Sequence, residues 1–204
     1  MAVPEIVFGG ATMSKIYNTG NWLASDIPFR TLRLALRYVY PFLPLETISK
    51  YSLRYGIRCI DTSSYYGPSE VVIGAILQKL AAEFPRATYR IMTKCGREGQ
   101  SFDYKPQSIR ASVMRSLRRL STTYLDVVLL HDIEHVASPV WPIPYCGDFE
   151  RALTDKTVRN EWGLDPEKLP RAWGTGDDTI LAAVRELQKM KEEGLIKAVG
   201  ISGE

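Results

Sequence analysis

The stretch SLRRLSTTYLDVVLLHDIE, residues 116–134, contains the end of a helical pattern, a strand and a histidine in immediate succession. Apolar residues before and within it recur every three or four positions, as on one face of an amphipathic helix; they are Ile109, Val113, Leu117 and Leu120. The run LDVVLL at 125–130 is almost continuously apolar, which is typical of a strand covered on both faces in a parallel sheet. A helix that leads directly into a buried strand predicts an α/β fold made of right-handed βαβ units.

The same alternation extends along the chain. The other strand-like runs are EIVFGGA (5–11), GIRCI (56–60), YRIMT (89–93) and IKAVGIS (196–202). Two more amphipathic patterns predict helices; the first, with Ser69 as its expected N-cap, comprises Val72, Ile73, Ile76, Leu77 and Leu80, and the second comprises Ile180, Ala183, Val184, Leu187 and Met190.

The spacing of the strands selects one α/β architecture. Strands two, three and four end at positions 61, 94 and 131, so the steps between them are 33 and 37 residues. A (β/α)8 TIM barrel of about 250 residues averages about 31 residues per unit. We therefore predict a barrel of this type that is incomplete, with about five of its eight βα units present.

Two segments interrupt the regular pattern. Joining Arg37 directly to Tyr55 would give TLRLALRYGIRCIDTS, one continuous helix leading into strand two. Residues 38–54 are therefore interpreted as an insertion, such as an unspliced intron; a genuine extra helical hairpin is the alternative. Residues 135–176 are rich in proline and tryptophan and show little periodicity, which predicts a long loop with a short helix at the position where barrel active sites receive their lids.

Composition excludes several classes of protein. The chain is 45% hydrophobic and 24% charged with a net charge of +3, as in ordinary globular proteins. We expect no membrane span, since no apolar run approaches about 18 residues, and no nucleic-acid partner, since the basic run at 115–120 is most simply the solvated face of a helix. Three cysteines without C-x-x-C spacing indicate reduced thiols and a cytoplasmic protein.

Ionisable residues follow three successive predicted strands. Asp61 follows strand two, Lys94 follows strand three and His131 follows strand four. Because the carboxyl ends of barrel strands surround the mouth where active sites form, these side chains should meet there. A carboxylate keeps a buried ammonium charged, and an ammonium beside a phenol stabilises the phenolate, so the phenol becomes a usable acid or base. The set therefore suits hydride transfer at a carbonyl, with a nicotinamide as hydride carrier.

The sequence motifs in these segments resemble those of the aldo-keto reductase family. The segment IRCIDTSSYYGPSEVVIGAIL is similar to the family's D-T-A-x-x-Y-G-x-S-E, and IMTKCGR to its T-K strand end. The segment at 116–134 resembles its S-L-x-R-L…Y-x-D-x-x-x-x-H, and GLIKAVGIS resembles its G-x-I-R-x-I-G-x-S. Within the family, the chain is most similar to sugar dehydrogenases of fungi and plants. The resemblance implies an NAD- or NADP-dependent oxidoreductase that acts on a small sugar such as D-arabinose and forms a lactone.

The resemblance also implies roles for individual residues. Its catalytic tetrad corresponds to Asp61, Tyr66, Lys94 and His131. The family's tyrosine stands five residues after the aspartate, which selects Tyr66 and leaves Tyr65 as a wall of the substrate pocket.

For the cofactor, the family's binding residues correspond to Gly10, Thr12, Asp61 and Ser202. Gly203 replaces the family's common asparagine. No metal is implied.

Three further expectations concern completeness and rival functions. The family's last three strands would follow Glu204, so we expect a truncated chain that binds a dinucleotide poorly. A non-catalytic or regulatory fragment of such an enzyme is one alternative. The other is a zinc hydrolase, because HDIEH (131–135) matches H-x-x-E-H. That motif needs both histidines on one helical face, whereas His131 ends a predicted strand.

Overall fold

The computed structural model describes residues 7–14, 21–37, 57–139, 151, 154–161, 172 and 174–203. Within these residues the strands are β1 (Phe8–Gly9), β2 (Cys59–Asp61), β3 (Arg90–Cys95), β4 (Arg97–Glu98), β5 (Ser101–Phe102), β6 (Leu125–Leu130) and β7 (Ile196–Ile201). The α-helices are α1 (Ile27–Leu36), α2 (Ser69–Leu80), α3 (Pro106–Arg119), α4 (Lys156–Glu161) and α5 (Thr175–Glu192).

The main sheet has five parallel strands in the order β1-β2-β3-β6-β7, so each strand pairs with the next one along the chain. A doubly wound sheet would instead reverse its strand order at a switch point. Unbroken sequential order is the arrangement of a (β/α)8 barrel, in which every crossover advances in the same direction. Strands β4 and β5 form a separate antiparallel hairpin after β3, which the periodicity of the sequence did not predict.

The helices cover the sheet through the faces that the sequence predicted. The buried members of the three apolar stripes are Ile73, Ile76, Leu77, Leu80, Ile109, Val113, Leu117, Leu120, Ala183, Leu187 and Met190. Burying each large apolar side chain contributes about 1.5–3 kcal/mol, so these stripes supply much of the force that holds the helices on the sheet. None of the helices in the described part of the chain is both long and apolar enough to cross a membrane.

Some predicted boundaries were wrong. The first strand is shorter than predicted, because Gly10–Met13 form a 3-10 turn directly after β1. Asp61 is the last residue of β2 and Lys94 lies inside β3, because backbone pairing with the neighbouring strand continues past the apolar run in both cases. Ser69 is not an N-cap but the first residue of α2; its buried hydroxyl donates to the Gly10 carbonyl over 2.7 Å instead of capping the helix.

The segment 135–176 is described only in part. It starts within the 3-10 turn Ile133–His135 that follows β6, and it contains the short helix α4. Its last two residues belong to α5, which begins at Thr175. The prediction of a long inserted loop therefore stays a prediction for the remainder of this segment.

The predicted insertion 38–54 lies outside the described residues, but its flanks are close together. The amide of Ile57 donates a hydrogen bond to the carbonyl of Ala35 over 3.0 Å. If Arg37 were followed directly by Tyr55, Ile57 would be the sixth residue counted from Ala35, and the fifth would be Gly56. A bond from the sixth amide to the first carbonyl, with glycine at the fifth position, is a Schellman helix end. The Ala35–Ile57 hydrogen bond agrees with this spacing, and the insertion of 38–54 stays a prediction.

Deletion of 38–54 should leave the fold intact and raise the free energy of unfolding by about 1 kcal/mol, because the loop that the Ala35–Ile57 hydrogen bond closes becomes several-fold shorter. Urea denaturation of both chains, followed by circular dichroism, measures this change. If the shortened chain ends α1 in a Schellman motif, Gly56→Ala should cost it about 1–2 kcal/mol, because glycine adopts the left-handed conformation of that motif without strain. Loss of cooperative unfolding on deletion would show that 38–54 belongs to the fold.

Candidate active site

The carboxyl ends of β2 and β3 bring together two of the predicted site residues. The Nζ atom of Lys94 lies 2.7 Å and 2.9 Å from the two carboxylate oxygens of Asp61. Lys94 is only 7% exposed, so its ammonium is held almost entirely by protein groups. The paired carboxylate offsets the cost of burying this charge.

The two tyrosines of the loop after β2 differ in what their hydroxyls contact. The phenol oxygen of Tyr66 lies 3.3 Å from Lys94 Nζ. The phenol oxygen of Tyr65 lies 3.4 Å from the guanidinium of Arg97. Gly67 directly follows Tyr66 and has φ +53°, a left-handed conformation that favours glycine. The phenol of Tyr66 therefore faces the ammonium of Lys94, whereas the phenol of Tyr65 faces the guanidinium of Arg97.

His131 follows β6 and faces both tyrosines. Its ring centroid lies 5.9 Å from that of Tyr66 at an interplanar angle of 88°, and 5.8 Å from that of Tyr65 at 75°. Edge-to-face contacts at such distances are the favoured geometry of aromatic pairs. All four residues predicted as the tetrad therefore lie at one edge of the sheet, with Tyr65 beside them.

Electrostatics keep His131 neutral. Burial lowers the pKa of His131 to about 4; the neighbouring carboxylate of Asp132 opposes this shift, and the positive charge of Lys94 adds to it. At neutral pH the imidazole is therefore uncharged and carries a single ring proton.

Two hydrogen bonds fix the backbone of His131. The buried hydroxyl of Tyr104 donates to the His131 carbonyl over 2.5 Å, and the His131 amide donates to the Cys95 carbonyl over 2.9 Å. These bonds set the direction in which the imidazole leaves the end of β6.

Arg97 and Asp132 belong to the site, although the sequence analysis assigned them no role. The Arg97 guanidinium lies 4.1 Å from the centroid of the Tyr65 ring and forms a salt bridge with Asp132. Asp132 has φ 56°, a left-handed conformation that non-glycine residues seldom adopt and that is found disproportionately at functional sites. Their positions in the sequence could have indicated this, because Arg97 follows Lys94 by three residues and Asp132 directly follows His131.

The residues predicted to contact a cofactor fall into two places. Gly10 and Thr12 lie in the 3-10 turn after β1. Gly10 is packed closely, since a Cβ atom there would lie 2.7 Å from the Asp61 carbonyl oxygen, whereas Thr12 is exposed. Ser202 follows β7, and its hydroxyl lies 3.4 Å from the Asp132 amide, at the same edge of the sheet as the tetrad.

The H-x-x-E-H motif does not adopt the geometry of a zinc protease. His131 follows the strand β6 and Ile133–His135 form a 3-10 turn, so the two imidazoles do not share a helical face. The His135 ring instead stacks on Phe102 with centroids 4.9 Å apart. Among the residues that the structure describes, no group of three or more His, Cys, Asp or Glu side chains is placed to hold a metal ion.

Comparison with known proteins assigns the family. The model of the Aldo/keto reductase family matches residues 44–204. The chain therefore belongs to the aldo/keto reductase family, and the predicted fold, an incomplete (β/α)8 barrel of this type, is confirmed.

Individual relatives agree with this assignment. D-arabinose 1-dehydrogenase of Saccharomyces cerevisiae is 42% identical over 203 residues, which are 99% of this chain and 43% of the relative. L-galactose dehydrogenase of Arabidopsis thaliana is 30% identical over 154 residues, 74% of this chain and 36% of the relative. The holo form of an aldo-keto reductase from Bacillus halodurans has the same fold, with a TM-score of 0.55 at 23% identity over 98% of this chain and 46% of that one. The chain thus spans less than half the length of the curated relatives that it matches.

Proposed function

We propose that the full protein is a cytoplasmic NAD(P)-dependent oxidoreductase that oxidises the anomeric carbon of a small aldose to a lactone. The observation that carries this proposal is the line of contacts from Asp61 through Lys94 to Tyr66, with the ammonium 2.7 Å from a carboxylate oxygen and 3.3 Å from a phenol oxygen. Buried free thiols at Cys59 and Cys95 support a reducing compartment.

Tyr66 is the group that moves the proton. In the oxidative direction its phenolate accepts the proton of the anomeric hydroxyl, and in the reductive direction its phenol donates a proton to the carbonyl oxygen. Lys94 stabilises the negative charge that the phenol oxygen carries in one of these states. Asp61 keeps Lys94 charged and prevents its ammonium from rotating away from Tyr66.

His131 orients the reacting oxygen. A neutral imidazole can donate one hydrogen bond to that oxygen without competing for the proton that Tyr66 transfers. The Tyr65 ring, which lies against the Arg97 guanidinium, is the proposed wall of the substrate pocket.

The residues at the sheet edge fit a nicotinamide cofactor, NADP or NAD. This group would supply the hydride acceptor for the carbon that loses hydrogen. The hydroxyl of Ser202 lies beside the tetrad and suits an amide, and the exposed hydroxyl of Thr12 lies at the end of the neighbouring β1. Gly10 allows the turn after β1 to pack against Asp61 without the steric conflict that a Cβ atom would create.

The proposed substrate class rests on the two curated relatives. Their names state D-arabinose and L-galactose as substrates, and both sugars present a hydroxyl at the anomeric carbon. Two tyrosine rings with an arginine beside them suit a small polyhydroxylated ring, because aromatic faces pack on C–H groups while the guanidinium donates to hydroxyls.

The function is tested by incubating the full protein with D-arabinose or L-galactose and either NADP⁺ or NAD⁺. We expect reduced nicotinamide to appear with an equivalent amount of lactone, which NMR identifies. Oxidation of simple alcohols but not aldoses would contradict the sugar assignment. Binding of NADPH, measured by fluorescence titration, without turnover of any aldose or carbonyl compound would indicate a non-catalytic member of the family.

A further inference from the structure

Ser63 connects the loop after β2 with the imidazole of His131. Its side chain is fully buried, and its Oγ atom lies 3.1 Å from Nδ1 of His131. The same Oγ accepts a hydrogen bond from the Tyr65 amide over 3.1 Å. In the motif D-T-A-x-x-Y-G this position is alanine, so the hydroxyl is a feature of this chain rather than a requirement of the motif.

The hydrogen-bond inventory of this site selects one tautomer. A serine hydroxyl has one hydrogen to donate, and a neutral imidazole has one nitrogen that donates and one that accepts. In the other tautomer, Nδ1 would carry the proton and donate it to Ser63. The buried serine hydrogen would then have no acceptor among the described residues, which costs about 1–3 kcal/mol. If Ser63 donates to Nδ1, its Oγ accepts from Tyr65 and donates to His131, and both bonds are satisfied.

The other side of the ring favours the same state. Nε2 of His131 lies 3.6 Å from a carboxylate oxygen of Asp132. A protonated Nε2 is attracted by that negative charge, whereas a bare lone pair would be repelled by it. Two independent contacts on opposite edges of the ring therefore act in the same direction.

We propose that Ser63 is a positioning residue that holds neutral His131 in the tautomer with the proton on Nε2. This inference deepens the proposed function, because only that tautomer presents a hydrogen-bond donor to the reacting oxygen. A histidine in the other tautomer would turn its lone pair toward the lone pairs of the reacting oxygen, because the one hydrogen of that hydroxyl goes to Tyr66.

NMR of the chain labelled with ¹⁵N-histidine tests the tautomer without any need for turnover. The chain has two histidines, so a His135→Asn variant assigns both signals. We expect His131 at neutral pH to show the shift and coupling pattern of a protonated Nε2 and an unprotonated Nδ1. A predominantly Nδ1-protonated His131 overturns the proposal.

Ser63→Ala supplies the second measurement. We expect the His131 signals to move toward a mixture of tautomers, because one of the two contacts is lost, while Ser63→Thr keeps the wild-type pattern. In the full protein, Ser63→Ala should lower kcat by about two- to threefold, because kcat falls with the fraction of His131 that keeps the proton on Nε2, with a smaller change in KM. An unchanged tautomer in Ser63→Ala overturns the role of Ser63, and an Nε2-protonated His131 in a protein that oxidises no sugar overturns only the proposed function.

Discussion

Replacing Tyr66 with phenylalanine should lower kcat by about 10³-fold, within the range that a positioned general acid or base contributes. The change removes the oxygen that lies 3.3 Å from Lys94 Nζ and leaves the ring that packs on His131. Because the ring stays, the loss should fall on the chemical step rather than on the fold. Steady-state oxidation of an aldose by the full protein measures it, and an unchanged Tm confirms that the variant is folded.

Tyr65→Phe is the matched control, since the two residues are adjacent and the change of atoms is identical. The phenol oxygen of Tyr65 contacts Arg97 and not the ammonium of Lys94. We expect kcat to stay within about tenfold of wild type, with the larger effect on KM because this ring is the proposed wall of the substrate pocket. The opposite outcome, normal turnover in Tyr66→Phe with a large loss in Tyr65→Phe, would exchange the roles of the two residues.

Asp126→Ala should lower the free energy of unfolding by about 3 kcal/mol, the cost of breaking a buried charged cluster. Asp126 lies in β6 and is 2% exposed. Its carboxylate accepts hydrogen bonds from Arg86 over 2.7 Å, from the Ile91 amide over 3.0 Å and from Lys197 over 3.1 Å. The substitution leaves the Ile91 amide without this acceptor and removes the link between β6, β3 and β7.

Acid should weaken the same cluster. Burial opposes ionisation of the carboxyl, but its hydrogen bonds to the three partners outweigh burial and hold the pKa of Asp126 below its ordinary value. The stabilisation is therefore fully present above the unfolded pKa of about 3.9 and is lost as the pH falls through the lower folded pKa. Urea denaturation should show a wild-type advantage over Asp126→Ala that is constant near neutral pH and shrinks below about pH 4.

Asp26→Ala is the control for the Asp126 experiment. Asp26 pairs with Arg30 at 3.7 Å, with both side chains 70% exposed, and makes no capping bond to α1. Its loss should cost less than about 1 kcal/mol, because exposed ion pairs are screened by water. Equal losses in the two variants would mean that burial does not decide the energy of the Asp126 cluster.

The fold and the meeting of Asp61, Lys94 and His131 could be predicted from the sequence because both depend on short-range patterns. Apolar stripes of period 3.6 predicted α2, α3 and α5, and continuous apolar runs predicted the strands between them. Parallel strands end at the same edge, so an ionisable residue at each strand end predicted that Asp61, Lys94 and His131 would meet. The hairpin β4–β5 escaped prediction because two-residue strands are too short to show an alternation.

Other parts of the site depend on contacts between residues far apart in the chain. Serine is a residue type that favours N-cap positions, but the hydroxyl of Ser69 instead donates a hydrogen bond to the carbonyl of Gly10, 59 residues away. The hydrogen bond between Ser63 and His131 spans 68 residues, and no periodicity encodes a partner at that separation. Arg97 could be read as one more solvated charge until the fold placed it between Tyr65 and Asp132.

The amino-acid sequence alone was sufficient for the order of the βα units and for the identity of the groups at the strand ends, since backbone periodicity and chain direction are local properties. Tertiary packing was needed to show which phenol lies beside the ammonium, to bury His131 so that its pKa falls, and to bring Ser63 within 3.1 Å of its Nδ1 atom. Each of these depends on distances of about 3–4 Å and on the removal of water, and only the folded chain sets both.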